Sequence, residues 1–343
     1  MKLNNAAFRV YSAKIGTNAE LVQGAGGNTS WKDEDNDCLW VKASGMQLAD
    51  AVEKDIFVPL SLARIKALIQ AEETDFSKAV LSSTLLRPSI ETPLHALLSY
   101  KIVIHVHAVD VIAWAVLKNA PAILSSVLEG LNWAWIPYVQ PGLPLSRAII
   151  QYCLKESEAN ILILGNHGLV IGADSIEAVD NLLKAVLLRL KREPRGYQGD
   201  FAKPIEQGMM PWLDYGYKLY AGENRKIHLL AYDSAVLKLV QEKWVLYPDH
   251  AVFLGGIAPA VLPGEAPQAF FQRMKGYPSI VVLPYQGVLL KIDIKKEQEA
   301  MLVCYAEVIS RIDKSDEVRS LEAEEILTLL NWDAEKYRQG LMR

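Results

Sequence analysis

Arg87-Pro-Ser-Ile-Glu-Thr-Pro-Leu-His95, followed closely by Ile104-His-Val-His107, is the stretch on which the reading of this chain turns. It sets one carboxylate, Glu91, upstream of two histidines spaced i, i+2. Lys101 to Ala108 is apolar and β-branched, which predicts a strand, and alternate side chains of a strand share a face. His105 and His107 are therefore expected side by side, where two imidazoles can hold one metal ion. Upstream, Ser89 is expected to cap a helix whose first turn contains Glu91 and accepts Pro93, because first-turn N–H groups have no intrahelical partner. Glu91 would then sit near the positive end of a helix dipole.

Downstream, two short apolar runs, Asn160 to Leu164 and Leu169 to Ile171, flank Gly165-Asn-His-Gly168. That pattern predicts a hairpin with His167 at its tip. A lone His-X-His in an apolar strand more often holds two unrelated histidines. A third histidine on an apolar hairpin and a nearby carboxylate shift the balance. Three protein ligands with one open position is the arrangement of catalytic zinc, and the open position lets a substrate oxygen be polarised. Glu91 is read as an acid/base group beside that centre; its plain alternative is a dipole-complementing glutamate. His95, one turn on, shares the face of Glu91 and is read as packing or orienting rather than ligating.

Toward the N-terminus lies Leu21-Val-Gln-Gly-Ala-Gly-Gly-Asn28-Thr-Ser30, and then Ala43-Ser44-Gly45. Alone, the glycines mark a turn. Functionally they suit an anion cradle, with backbone N–H groups and the side chains of Asn28, Thr29 and Ser44 around a phosphate, and Ser89 serving the same anion. The segment is neither a Walker loop nor a dinucleotide fingerprint.

The 343 residues carry a formal net charge of −4 and no long basic run, which argues against a nucleic-acid binder. Three widely spaced cysteines, Cys38, Cys153 and Cys304, lack any CxxC pair and suit buried thiols in a reducing compartment. The N-terminus lacks a signal core, and the most apolar stretch, Ile102 to Leu117, is too short to span a bilayer, so a cytoplasmic, non-membrane protein is expected. Helices are predicted over residues 3–15, Ser61–Ala71, Val109–Lys118, Leu145–Lys155 and Ser175–Arg192. Strands are predicted over Thr29–Lys32, Cys38–Lys42, Ile56–Leu60 and Trp133–Val139. The Pro- and Gly-punctuated stretch 193–211 predicts a boundary between a domain of residues 1–200 and a smaller α/β region of 211–343. In the latter, helices are expected at Arg225–Lys243, Lys296–Arg311 and Glu317–Leu330. Strands are expected there at Ala251–Leu254, Ser279–Leu283 and Val288–Ile292. Adjacent strands joined by turns imply a mainly antiparallel α/β fold without Rossmann order.

In combination and order, several segments resemble the class II aldolase/adducin family. They are Gly27-Asn28-Thr29-Ser30, Ala43-Ser44-Gly45, Ser89-Ile-Glu91 with His95, His105-Val-His107, Ile136-Pro-Tyr138, and Asn166-His-Gly168 with its continuation to Gly172. The likeness covers roughly residues 10 to 190. It is strongest to the aldolase half of bifunctional rhamnulose-phosphate aldolase/alcohol dehydrogenases. The resemblance implies α/β/α layers around a mainly antiparallel sheet, and a divalent metal, usually zinc, on His105, His107 and His167. It also implies an acid/base role for Glu91, and phosphate contacts from Asn28, Thr29, Ser44, Gly45 and Ser89. The expected reaction is lyase cleavage of a ketose or ketose 1-phosphate through a metal-stabilised enediolate, by a homotetramer. Epimerase, dehydratase or decarboxylase chemistry, or a metal-free adducin-like binding module, are the alternatives. Ile90 stands where the fuculose-phosphate branch has a second serine, and Ala120 to Ser125 lacks that branch's tyrosine.

Overall fold

The computed structural model describes residues 5–155, 159–196 and 206–332. These divide into two compact units, one within Met1–Ala115 and Asn119–Lys191 together with Trp332, the other within Val116–Lys118 and Arg192–Asn331. The division falls at Lys191, slightly ahead of the expected boundary. Val116 to Lys118 joins the second unit because Arg319 N donates to Val116 O at 2.8 Å and Lys118 N to Glu317 O at 2.9 Å.

The first unit begins with α1 (Asn5–Gly16), β1 (Asn28–Asp33), β2 (Cys38–Lys42), β3 (Phe57–Ser61) and α2 (Leu62–Gln70). It continues with α3 (Thr92–Leu97), β4 (Ile102–Val106), α4 (Val109–Ala115), α5 (Ala120–Val127) and β5 (Trp133–Ile136). It closes with α6 (Leu143–Lys155), β6 (Ile161–Leu164), β7 (Gly168–Ala173) and α7 (Ile176–Leu190). Its seven-stranded sheet has the order β3-β2-β1-β4-β7-β6-β5. Every pairing is antiparallel except β5 with β6.

Strand alternation sorts β1 between two layers. Trp31 points to α1, where it meets Phe8 at 4.7 Å between ring centroids and Phe57 at 5.2 Å. Thr29 points the same way, with its hydroxyl 2.8 Å from that of Ser12 in α1. Asn28 and Ser30 point to the opposite face, toward α3. There Leu94, Leu98, Val103, Leu145, Ile149 and Val170 form the apolar layer beneath α3 and α6. On the α1 side, Lys14 reaches Asp180 of α7 at 3.4 Å. Helices thus cover both faces of the sheet, as expected.

Local signals act as their chemistry requires. Ser61 caps α2 by accepting from Arg64 N, and Ser175 caps α7 by accepting from Ala178 N. The helix before the histidines starts later than predicted. Ser89 Oγ accepts from Glu91 N, and Glu91 itself is the N-cap of α3, just outside the first turn.

The second unit comprises α8 (Glu206–Leu213), β8 (Tyr217–Leu219), α9 (Leu229–Tyr232), α10 (Ser234–Glu242), α11 (Pro248–Leu254) and α12 (Pro267–Arg273), then β9 (Ile280–Leu283), β10 (Gly287–Lys291), α13 (Lys296–Ser310) and α14 (Ala323–Asn331). Its sheet runs β8-β10-β9, all antiparallel. Two expectations are corrected. Residues 225–243 are not one helix, because Asp233 stops α9 and caps α10 through Ala235 N and Val236 N. Ala251 to Leu254 is not a strand. Pro248 at the start and Asp249 in the first turn favour a helix, and a short apolar run carries no period to tell the two apart. The sequence from Asn331 to Arg338 suggests a last helical turn or two, but past Trp332 this tail lies outside the described residues. Cys38 and Cys304 are buried, and the side chain of Cys153 is outside the described ones. Among the described residues no helix is long and apolar enough to cross a membrane.

His250 lies fully buried between Trp244 and Tyr305, with ring centroids 4.3 Å from each. Burial pulls its pKa from 6.5 down to about 3. Within that window the unfolded chain binds a proton that the folded one does not, so stability is full above pH 6.5 and falls as the pH drops toward about 3. Urea midpoints measured across the window should show this slope, and His250→Leu should flatten it.

Candidate metal centre and active site

Three central strands assemble the site. β4 supplies His105, and His107 lies just beyond its end, not inside it as expected. His167 comes from the β6–β7 turn, where Asn166 adopts a positive φ of 51°. Gly168 follows, and a Cβ there would stand 2.6 Å from Val106 O, so only glycine lets the hairpin close against the end of β4. Asn28 of β1 is the register partner of His105.

All three histidines are buried, and their candidate ligand atoms lie within 4.8 Å of one another. His105 Nδ1 is 3.1 Å from Leu169 O. A carbonyl only accepts, so Nδ1 carries a proton and Nε2 is the nitrogen turned to the cluster. That Nε2 lies 3.0 Å from His107 Nε2. Nitrogens sharing a tetrahedral zinc at about 2.0–2.1 Å stand roughly 3.3 Å apart, so this spacing suits a shared ion. The carbonyl behind His105 also provides the outer hydrogen bond that orients a ligating imidazole. Donor type, burial and convergence therefore fit a divalent cation.

Glu91 faces the cluster. Its Oε2 lies 3.5 Å from His105 Nε2, and its Oε1 lies 3.7 Å from His167 Nε2. Asn28 Nδ2 donates to Oε2 at 2.7 Å, while Oε1 accepts no hydrogen bond among the described residues. Burial opposes ionisation of Glu91. His105, His167, the Asn28 hydrogen bond and His107 together outweigh it and hold the carboxyl at about 2.

A chain of hydrogen bonds stands behind the carboxylate. Because Asn28 Nδ2 is turned to Glu91, its Oδ1 faces His95 and accepts from His95 Nε2. His95 Nδ1 is then an acceptor, and Ser30 Oγ donates to it across 2.7 Å. Burial, opposed by Glu91, draws the His95 pKa from 6.5 to about 3, which keeps the ring neutral for this double role. His95 thus orients Glu91 through Asn28. Ser30 went unread in the sequence, where only its place on the Asn28 face of a strand could have marked it.

The residues expected around a phosphate are only partly brought together. Ser44 N donates to Arg87 O and Ser89 N to Lys42 O, so residues 87–89 run beside 42–44. Ser44, Arg87 and Ser89 line one cavity, and Asn28 Nδ2 reaches Ser89 Oγ at 3.3 Å. The Asn28 amide is otherwise engaged by Glu91 and His95. The hydroxyl of Thr29 is on the other face of β1 against Ser12, a direct consequence of strand alternation. Gly45 makes the turn after β2 with a φ of 77°. Lys42, also unread in the sequence, ties two loops by donating to Ala25 O and Met46 O, both at 2.7 Å.

Residues 10–186 match the family described as the Class II Aldolase and Adducin N-terminal domain. A curated relative, the uncharacterized oxidoreductase YuxG of Bacillus subtilis (strain 168), is 33% identical over 177 residues. That match covers 48% of this chain, and the chain spans only a quarter (25%) of the relative's length. Among solved structures, the N-terminal class II aldolase domain of a conserved protein from Thermoplasma acidophilum is 25% identical, with a TM-score of 0.48. The match covers 55% of this chain and 93% of that one. L-fuculose-1-phosphate aldolase from Thermus thermophilus is 15% identical, covering 55% and 95% of the two chains, with a TM-score of 0.36.

Asn28→Ala leaves the buried Glu91 carboxylate without its amide donor. Hydrogen bonds to charged groups are worth about 1.5–3 kcal/mol, and urea unfolding of metal-free protein should show a loss of that size. An unchanged midpoint would mean that this bond contributes nothing to the fold.

Proposed function

Because the chain belongs to the class II aldolase and adducin N-terminal domain family, we propose that it is a metal-dependent aldehyde-lyase that cleaves a ketose or ketose 1-phosphate. The observation that carries this reading is a buried Glu91 carboxyl group set within 4 Å of two of three converging imidazoles. We assign His105, His107 and His167 as ligands of a divalent cation, with zinc favoured by the all-nitrogen donor set. Such a cation would supply Lewis-acid stabilisation of charge developing on a carbonyl oxygen.

The chain's own groups handle the proton. In the condensation direction, the Glu91 carboxylate removes a proton from the carbon beside the carbonyl; in cleavage it returns that proton to the same carbon. Oε1, which accepts no hydrogen bond among the described residues, is the oxygen suited to this exchange. Asn28 holds Oε2 and fixes the carboxylate plane, and the neutral His95 holds Asn28. Glu91 and the three histidines are buried, which limits the access of bulk water to the proton. Ser44 and Ser89, with Arg87 beside them, would receive the anionic end of a phosphorylated substrate.

The first unit is taken as catalytic and the second as accessory. Epimerase, dehydratase or decarboxylase reactions would use the same centre and differ in product.

Glu91→Gln should retain metal, measured by elemental analysis, and lower turnover by about 10²–10⁴-fold; full activity in that variant would remove Glu91 from the mechanism. His167→Ala should lower metal content at fixed supply. Less than a tenth of a metal per chain in the unsubstituted protein, with no recovery on adding zinc or manganese, would instead favour a non-catalytic module.

A further inference from the structure

Six residues make up α3, and its N-cap is Glu91. A helix this short does not hold its own direction in water, so the contacts around it decide where Glu91 stands. On the apolar side, Leu94 and Leu98 join the layer that also contains Leu145 and Ile149 of α6. Apolar packing is non-directional. It sets how deep the helix lies and leaves its slide along its own axis open, so directional bonds must fix that slide.

Those bonds come from three alternate residues of β1. Asn28 donates to Glu91 Oε2 at the N-cap. Ser30 Oγ donates to His95 Nδ1 one turn on. Lys32 Nζ donates to Leu98 O at the C-cap. The spacings of the two elements suit one another. Alternate strand residues stand roughly 6.8 Å apart, and steps of four and three helical residues advance about 6 and 4.5 Å. Ser30 and His95 are fully buried, and Lys32 nearly so. A lysine is rarely buried unless it is paired. Here its charge lies at the helix end whose carbonyls lack intrahelical partners and favour a cation. β1 is in turn locked to the strand that carries a metal-type ligand, since Asn28 pairs with His105 and Ser30 with Val103. The position of Glu91 is thereby referred to that of the imidazoles.

We propose that Ser30 and Lys32 are positioning residues: with Asn28 they form a polar rail on β1 that fixes α3 along its axis and holds Glu91 at its distance from His105 and His167. The assignment rests on the sugar-cleaving reading of that site and deepens it. Both residues act through Glu91.

The test is turnover by the full, metal-loaded chain, using the fastest-cleaved member of a panel of ketoses and ketose 1-phosphates and measuring the aldehyde released. Ser30→Ala should lower kcat by about tenfold or more, because a shift of about 1 Å at a reacting group is costly. KM and metal content should stay the same. Ser44 and Ser89 are held by the backbone bonds between residues 42–44 and 87–89, and the histidines lie on other elements. Ser30→Thr, which keeps the hydroxyl, should restore most of the loss. Lys32→Met should act as Ser30→Ala does and Lys32→Arg should recover it, which tests the rail even if Ser30→Ala does not fold. In a chain already carrying Glu91→Gln, neither substitution should slow the residual rate further. Full activity of both variants, loss of metal, or an equal slowing in the Glu91→Gln chain would overturn the positioning role. If the unsubstituted chain cleaves no member of the panel, the sugar-cleaving reading falls by itself. The rail is then judged on urea midpoints of metal-free protein. There Ser30→Ala and Asn28→Ala together should cost less than the sum of their separate losses, since His95 links the two; additive losses would overturn it.

Discussion

A carboxylate buried against three imidazoles is the constraint around which the first unit is built. Removing a carboxylate from water is costly unless charge and hydrogen bonds replace the lost hydration. Glu91 obtains them from four separate places: His105 at the end of β4, His107 just beyond it, His167 in the β6–β7 turn, and Asn28 in β1. Those groups can meet only if β1, β4 and β7 are neighbours in the sheet, and they are. A one-residue slip of β1 against β4 would swap Asn28 for Thr29 on the site face and leave Glu91 without its donor.

β1 serves two purposes at once because its side chains alternate. One set, Thr29 and Trp31, closes the layer under α1; the other, Asn28 and Ser30, forms the floor of the site. The floor is polar yet buried, so each group must find a partner. The sequence Ser30, His95, Asn28, Glu91 meets that demand in a single line, which also determines the tautomer of His95 and the orientation of the Asn28 amide. That line holds the base through the neutral groups of Asn28, His95 and Ser30.

In the second unit the apolar run at 251–254, read as a strand, is helical, because four apolar residues cannot display a period and the proline ahead of them marks a helix start. Conversely, the strong cap at Asp233 divides what looked like one long helix. Both differences arise where a local signal was short or where one capping residue outweighed the apolar pattern around it.

The metal-type cluster could be read in one dimension because its chemistry is carried by residue type and short spacing. Two histidines two apart, a third at a hairpin tip and a glutamate before a proline-started helix each mark themselves locally, and so does the alternation that builds the sheet. The partners of those groups could not be read that way. Ser30 meets His95 across 65 positions, Asn28 meets Glu91 across 63, and Thr29, adjacent to Asn28 in sequence, faces another layer. Trp332 reaches the cavity from the far end of the chain. Which polar group satisfies which is decided only when strands pair and helices pack, because a hydrogen bond depends on distance in space, and distance along the chain does not encode it.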